Sequence, residues 1–162
     1  RIIVWSEIGE GSKGIWYFVY DQKIGYPANK ELEEEIKKIN WELQKLKDYL
    51  IISEPITRTE KDKMTTYTLL AGDKGIVLIL VNNDHTNNFK EEQKPFEYNP
   101  KENVKIEIKI PNWLKVKGIK EITYPEEKEI NQQQYKIENN TLFLSVDNLE
   151  ITKQYLIEAE RK

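Results

Sequence analysis

The clearest hydrophobic pattern in the chain lies between Asn29 and Leu50. Apolar residues recur there at alternating steps of four and three positions, which places them on one face of a helix. These residues are Leu32, Ile36, Ile39, Leu43, Leu46 and Leu50. Asn29 precedes the run and is a favourable N-cap, because its side-chain oxygen can accept a hydrogen bond from a free backbone N–H. The pattern predicts one long amphipathic helix over residues 30–50.

Strand patterns dominate the chain after residue 53. Residues 64–70 and 75–81 predict a hairpin joined through Gly72, Asp73 and Lys74, and its second strand is apolar throughout and therefore central. Residues 104–110 alternate between apolar and charged side chains, as in a strand with one core face and one wet face. Four more strands are predicted over residues 118–124, 134–138, 141–146 and 154–159. Asn139 and Asn140 predict a tight turn between two of them.

Two further segments complete the predicted fold. Residues 14–20 run GIWYFVY without a polar interruption, which is typical of a strand buried on both faces. The polar residues 82–101 predict a long loop, with room for a short edge segment. The expected fold class is mainly β: an antiparallel β-sandwich of about seven to eight strands, preceded by one strand and one long amphipathic α-helix. We expect two domains, over residues 1–52 and 53–162.

Charge and hydropathy exclude two classes of partner. The 162 residues carry 25 Lys plus Arg against 28 Asp plus Glu, a net charge of -3, and this balance argues against a general nucleic-acid binder. Arg is scarce among the basic residues, so the bidentate contacts that it makes to bases and phosphates are scarce too. The apolar runs are about six residues long, whereas a helix that crosses a bilayer needs about 20. We expect neither a nucleic-acid nor a membrane partner.

The absence of cysteine and the single histidine, His85, limit the possible chemistry. Disulfides, Cys-ligated zinc, thiol catalysis and His-rich metal sites are excluded, and we expect no cofactor and no metal. The stretch around His85 reads NNDHTNN. It is typical of a polar turn, and a calcium site built from Asp, Asn and backbone carbonyls is the less favoured alternative.

The first fifty residues resemble the closing segment of a (β/α)8-barrel glycoside hydrolase. The residues that carry the resemblance are Gly11, Ser12, Lys13, Gly14, Ile15, Tyr17, Phe18 and Tyr20 of GSKGIWYFVY, then Asn40, Glu42, Leu43 and Leu46 of the helix. In that family the first group forms the eighth barrel strand and the second lies on the final helix. The remaining 110 or so residues are similar to the all-β domain that often follows such barrels.

The resemblance implies that this chain is the non-catalytic C-terminal part of a glycoside-hydrolase-like protein. The family's catalytic carboxylates lie at the ends of earlier strands, upstream of Arg1, so no residue here inherits those roles. An upstream barrel, or a partner chain, would cover the strand at 14–20 and the helix at 30–50. The chain opens on an apolar stretch without a signal-peptide pattern, which suggests a piece of a longer protein, and a relative that degrades polysaccharides would work outside the cytoplasm.

Two groups of residues are candidates for contact with carbohydrate. In an intact barrel Tyr20 and Asp21, at the carboxyl end of the eighth strand, would face the sugar; otherwise Tyr20 is core and Asp21 opens a turn. Trp113, Phe96 and Tyr98 lie in or beside loops, where their rings could stack on sugars of a polysaccharide. The alternative for Trp113 is a lid on the sandwich core.

Two other functional interpretations come from the residues themselves. GEGSKG at residues 9–14 matches the dinucleotide fingerprint GxGxxG in form, but a predicted strand rather than a helix follows it, so a turn is the better interpretation. The alternative to a glycosidase part is a stand-alone immunoglobulin-like or fibronectin-like module used in structure or adhesion.

Overall fold

The computed structural model describes residues 1–17, 29–62, 64–86 and 97–162. Two helices come first, α1 over Ile2–Gly9 and α2 over Lys30–Leu50. Eleven strands follow in the described residues: β1 Glu54–Asp62, β2 Thr65–Gly72, β3 Gly75–Asn82, β4 His85–Thr86, β5 Glu97–Tyr98, β6 Lys101–Lys109, β7 Leu114–Thr123, β8 Glu126–Glu129, β9 Tyr135–Glu138, β10 Thr141–Leu149 and β11 Thr152–Arg161.

The strands form two facing sheets and one small ribbon. The larger sheet has six strands in the order β1-β2-β3-β11-β7-β8, and the smaller has three in the order β6-β10-β9. Strands β4 and β5 form a separate two-stranded ribbon. Every paired strand is antiparallel to its neighbour.

The main core lies between the two sheets. Alternate residues of β6, Val104, Ile106 and Ile108, point inward against residues of the larger sheet such as Leu78 and Ile157. The intervening residues of β6 are exposed. This is the two-residue period of a strand with one buried face.

The two helices cover the other face of the six-stranded sheet. Trp5 of α1 and Leu46 of α2 pack there against Val77, Ile79 and Leu156. Strand β3 is therefore buried on both faces, which explains why all eight of its residues are buried. The described residues thus form three layers: the helices, the large sheet and the small sheet.

The structure confirms the mainly β class, the sandwich and the long helix. Helix α2 begins after Asn29, whose side chain accepts a hydrogen bond of 3.0 Å from the Leu32 backbone N–H. The predicted hairpin is β2–β3, and the turn at Asn139 and Asn140 joins β9 to β10 with φ of 50° and 60°. Of the predicted helical stripe, only Leu32 is exposed, at 47%.

Residues 14–17 form no strand, so the predicted strand over 14–20 is wrong for these residues. Residues 18–20 lie outside the described part of the chain. The segment lies beside α2, where Ile15 packs into the helix–sheet core and Trp16 is 92% exposed. A strand needs neighbours for its backbone hydrogen bonds, and a helix surface offers none.

Two strands of the large sheet lie outside the predicted set. They are the edge strands β1, with the sequence EPITRTEKD, and β8, with the sequence EEKE. Both are polar, since an edge strand has few core contacts and its charges protect it from pairing with other chains. The short ribbon β4–β5 falls within the polar segment that was expected to be a loop.

Candidate functional site

Lys13 joins the segment after α1 to the end of α2. Its ammonium group donates a hydrogen bond of 2.9 Å to the backbone oxygen of Leu50, the last residue of α2, and another to the oxygen of Ser53. The Ser53 hydroxyl also donates to the Leu50 oxygen, at 3.2 Å. A cation there satisfies helix carbonyls that have no partner within the helix and opposes the negative end of the helix dipole.

Tyr17 and Glu42, two of the residues that carry the resemblance, make further contacts. The Tyr17 hydroxyl donates to the Asn40 side-chain oxygen at 3.0 Å. Glu42 is buried, and its carboxylate accepts bonds of 2.8 and 3.0 Å from the Arg1 guanidinium and one of 3.3 Å from the Tyr124 backbone N–H. These contacts tie α2 to the start of α1 and to the end of β7. All are packing contacts.

The glycine-rich segment at 9–14 is a turn that follows a helix. Helix α1 ends at Gly9, and Gly11 has a φ of 100°, in the left-handed region that favours glycine. The Gly11 N–H donates to the Ile8 oxygen at 2.9 Å. A dinucleotide fingerprint requires a strand before the glycines and a helix after them, and neither lies in these positions.

A second partly buried carboxylate, Glu121, lies in a paired network on β7 and β11. It accepts bonds of 2.9 Å from Lys153, 3.1 Å from the Tyr155 hydroxyl and 3.1 Å from Thr123. Burial of Tyr155, and then the negative charge of Glu121, raise the pKa of this phenol. The bonds from Lys153 and Tyr155 of β11 to this carboxylate of β7 hold the two strands together.

The described residues around His85 are the end of β3, a short link in which the Asp84 backbone N–H donates to the Asn82 side-chain oxygen, and strand β4, so the predicted turn is a strand at His85 and Thr86; Asn87 and Asn88 lie outside the described residues. Asn82 is buried, and its amide donates to the backbone oxygens of Asn99, Leu149 and Glu150 at 2.7–3.3 Å. Hydrogen bonding from Asn99, and then from Lys101, lowers the pKa of Asp84. The Lys101 ammonium is 3.0 Å from the Asp84 carboxylate and forms an ion pair with it. Within the described residues, no group of three or more His, Cys, Asp and Glu could hold a metal.

The predicted sugar-contact residues fall in different places. Tyr20, Asp21 and Phe96 lie outside the described residues. Tyr98 is on the β4–β5 ribbon, with its ring 5.8 Å from that of His85, whereas Trp113 lies in the turn between β6 and β7 and is 40% exposed. The nine-residue strand β6 separates the last two, so they do not form one surface. Their role in carbohydrate contact stays a prediction.

The outer face of the three-stranded sheet holds a cleft that the sequence analysis missed. The cleft has a volume of about 700 Å³. It is lined by Lys105, Ile106, Glu107, Gln132, Gln133, Gln134, Tyr135, Lys136, Phe143, Leu144 and Ser145. The sequence does contain one indication of this cleft. Leu142 and Leu144 point into the core, so Phe143 between them must lie on the solvent-facing side of the sheet.

Within the described residues, no helix is long and apolar enough to span a membrane.

Comparison with known proteins gives little support for a family. No family model matches the chain, and no curated protein matches it in sequence. Among solved structures, the chain is similar to the alpha-L-fucosidase isoenzyme 2 from Paenibacillus thiaminolyticus, with a TM-score of 0.48 and 14% identity. The match covers 84% of this chain and 19% of the fucosidase. A TM-score below 0.5 at this identity assigns neither a fold nor a function.

Proposed function

We propose that this chain is the non-catalytic C-terminal part of a glycoside-hydrolase-like protein, in which the β-sandwich braces the last helices of a barrel. The observation that carries the proposal is the position of Lys13. This residue belongs to the segment that resembles the eighth barrel strand in sequence, although residues 14–17 form no strand here, and it binds the end of α2 at Leu50 and the first residue of the sandwich region at Ser53. One side chain thus joins the three parts that the family places in succession.

The helix–sheet core supports a bracing role. Trp5 and Leu46 are fully buried between the helical layer and the large sheet, together with Val77 and Ile79. An interface with this many apolar side chains stabilises both layers, because each buried aliphatic side chain contributes about 1.5–3 kcal/mol. The sandwich would do no chemistry itself. It would hold the helices that close the barrel.

The other side of the helical layer supports a further partner. Ile3 is 77% exposed and Trp16 is 92% exposed. Exposed apolar side chains mark interaction sites when they form one patch, and the proposal requires Ile3 and Trp16 to belong to such a patch. In the proposal an upstream barrel domain, or a partner chain, covers this side of residues 1–52, while residues 53–162 form the accessory domain.

Deletion of residues 53–162 from the protein at the length at which it occurs in its source cell tests the bracing role. We expect the melting temperature of the remaining part to fall sharply, because the face of α1 and α2 that carries Trp5 and Leu46 would be exposed to water. A matched pair of point variants separates bracing from a general effect of truncation. Leu46→Ala should cost about 2–5 kcal/mol, and Leu32→Ala should stay within about 0.5 kcal/mol. Unchanged melting after the deletion would contradict the proposal.

A further inference from the structure

The outer face of the three-stranded sheet has an aromatic ring at its centre. Phe143 lies on the middle strand, β10, and it is paired directly with Glu107 of β6 on one side and with Lys136 of β9 on the other. The next outward residue of β10 is Ser145, which is paired with Lys105. The other outward positions around the ring are therefore polar, so the Phe143 ring is not part of a hydrophobic core on this face.

The cleft around Phe143 has the composition of a ligand site. The cleft has a volume of about 700 Å³ and is wide open to solvent, so it is a surface groove and not an enclosed cavity. Gln132, Gln133 and Gln134 form one wall and supply amide groups that both donate and accept hydrogen bonds. The Gln134 amide is already held by Asp147 at 3.1 Å, which fixes its orientation.

The charges in the cleft are mixed and nearly balanced. Within the described part of the chain, the side chains of Lys105 and Glu107 form no ion pair, whereas Lys136 on the neighbouring strand β9 pairs with Glu138. Lys136 is 3.2 Å from Glu138 and also lies over the Phe143 ring, 5.1 Å from its centroid. The ring face therefore attracts positive charge, as the quadrupole of an aromatic ring does.

These features fit the chemistry of a neutral sugar ring. One face of a pyranose presents C–H groups, which carry slight positive charge and pack on an aromatic face. Its hydroxyl groups both donate and accept, so they match an unpaired carboxylate, an unpaired ammonium group, amides and a hydroxyl in one cleft. A strongly charged ligand would be repelled by those charged groups of the cleft that have its own sign.

We propose that this face binds a neutral pyranose chain, with Phe143 as the stacking platform and with Glu107, Lys105 and Gln133 as hydrogen-bond partners of the sugar hydroxyls. The choice of a polysaccharide as the ligand rests on the proposed function, whereas the site rests on the residues of the cleft. The Lys136 ammonium group lies over the ring, so a sugar must displace it to stack.

Affinity electrophoresis of the whole chain tests the proposal. The gels would contain xylan, hydroxyethylcellulose or galactomannan as neutral probes, or polygalacturonate as an anionic probe. We expect at least one neutral probe to retard the chain, and Phe143→Ala to weaken that binding about tenfold or more. Lys136→Ala should strengthen it by about two- to five-fold, because the sugar no longer competes with the ammonium group. Tyr124→Ala, which removes an exposed aromatic side chain outside the cleft, should bind as the unaltered chain does.

Four outcomes would overturn the proposal. They are no retardation by any neutral probe, equal retardation of Phe143→Ala and the unaltered chain, retardation by polygalacturonate alone, and sedimentation that shows a dimer dissociated by Phe143→Ala. The gain expected for Lys136→Ala keeps the test valid if Phe143→Ala unfolds, which circular dichroism would detect. The bracing role is measured by melting of the source-length protein and does not depend on Phe143, so the two proposals can fail separately.

Discussion

Lys13 shows how one side chain stabilises a junction between elements. The last carbonyls of a helix have no partner within the helix, and their dipoles sum to a partial negative charge. The Lys13 ammonium group donates a hydrogen bond to the Leu50 carbonyl and places a positive charge at this end of the helix. It also binds Ser53, which lies just beyond the helix. The exposed fraction of the Lys13 side chain is 39%, so water weakens the interaction without removing it.

Substitution of Lys13 by methionine tests this junction. We expect Lys13→Met to lower the free energy of unfolding by about 1 kcal/mol, because the charged hydrogen bonds to α2 are lost while the aliphatic volume stays. The melting temperature of a chain of this size should fall by about 2–4 °C in thermal unfolding followed by circular dichroism. Lys47→Met is the matched control, since Lys47 is an exposed lysine of the same helix end. Equal effects of the two substitutions would contradict the account.

Tyr155 predicts a loss of stability in alkali. Its pKa is raised in the folded chain by burial and then by the Glu121 carboxylate, whereas an unfolded tyrosine titrates near pH 10. The folded state binds the phenolic proton more tightly, so the stability from this group is complete below about pH 10 and is lost as the pH rises above it.

Tyr155→Phe should make the unfolding free energy less dependent on pH between about 9 and 11. Urea unfolding at several pH values measures this, and Tyr98→Phe is the control. The same pH slope in Tyr155→Phe and the unaltered chain would exclude this origin.

The β2–β3 hairpin depends on a glycine at its second strand. Gly75 has a φ of 152°, and a Cβ atom added there would lie 2.4 Å from the backbone oxygen of Ile157 on β11. Backbone atoms in the centre of a sheet cannot move aside cheaply. We therefore expect Gly75→Ala to cost about 2 kcal/mol or more, measured by chemical denaturation. At Gly14 an added Cβ atom meets nothing within 4 Å, so Gly14→Ala should leave the unfolding free energy nearly unchanged. A small effect at Gly75 would contradict the packing described here.

Elements with a strong local pattern could be predicted from the sequence, and those defined by distant contacts could not. Helix α2 carries its own stripe and its own cap at Asn29, and the β9–β10 turn carries two asparagines that tolerate positive φ. Strand β8, with the sequence EEKE, contains no strand signal, and it exists because β7 pairs with it. Apolar continuity at 14–17 predicted a strand, but this segment packs beside α2.

The candidate site shows the same division. The outward position of Phe143 follows from the alternation of β10, and that much could be predicted from the sequence. The cleft could not be predicted, because it requires β6, β9 and β10 to pair in one register and requires the 132–134 segment to lie beside them. Trp113 and Tyr98 are both aromatic and near loops, yet β6 separates them.

In the described residues, two apolar cores lie on opposite faces of the six-stranded sheet. The core between the sheets includes Leu78 and Ile157, and the core under the helices includes Val77 and Leu156. Successive residues of β3 and β11 thus pack alternately into the core between the sheets and the core under the helices. The proposed bracing requires that loss of the core between the sheets weaken the helical layer through these shared strands.

The intact mass and N-terminal sequence of the protein in its source cell test the central claim most directly. A whole barrel takes about 250 residues, so the account predicts a species at least that much longer than the present 162 residues, with the additional part upstream of Arg1. The added segment should contain two carboxylates at strand ends, as glycoside hydrolysis requires. A mature protein that starts at Arg1 would contradict the account and would favour a stand-alone structural or adhesion module.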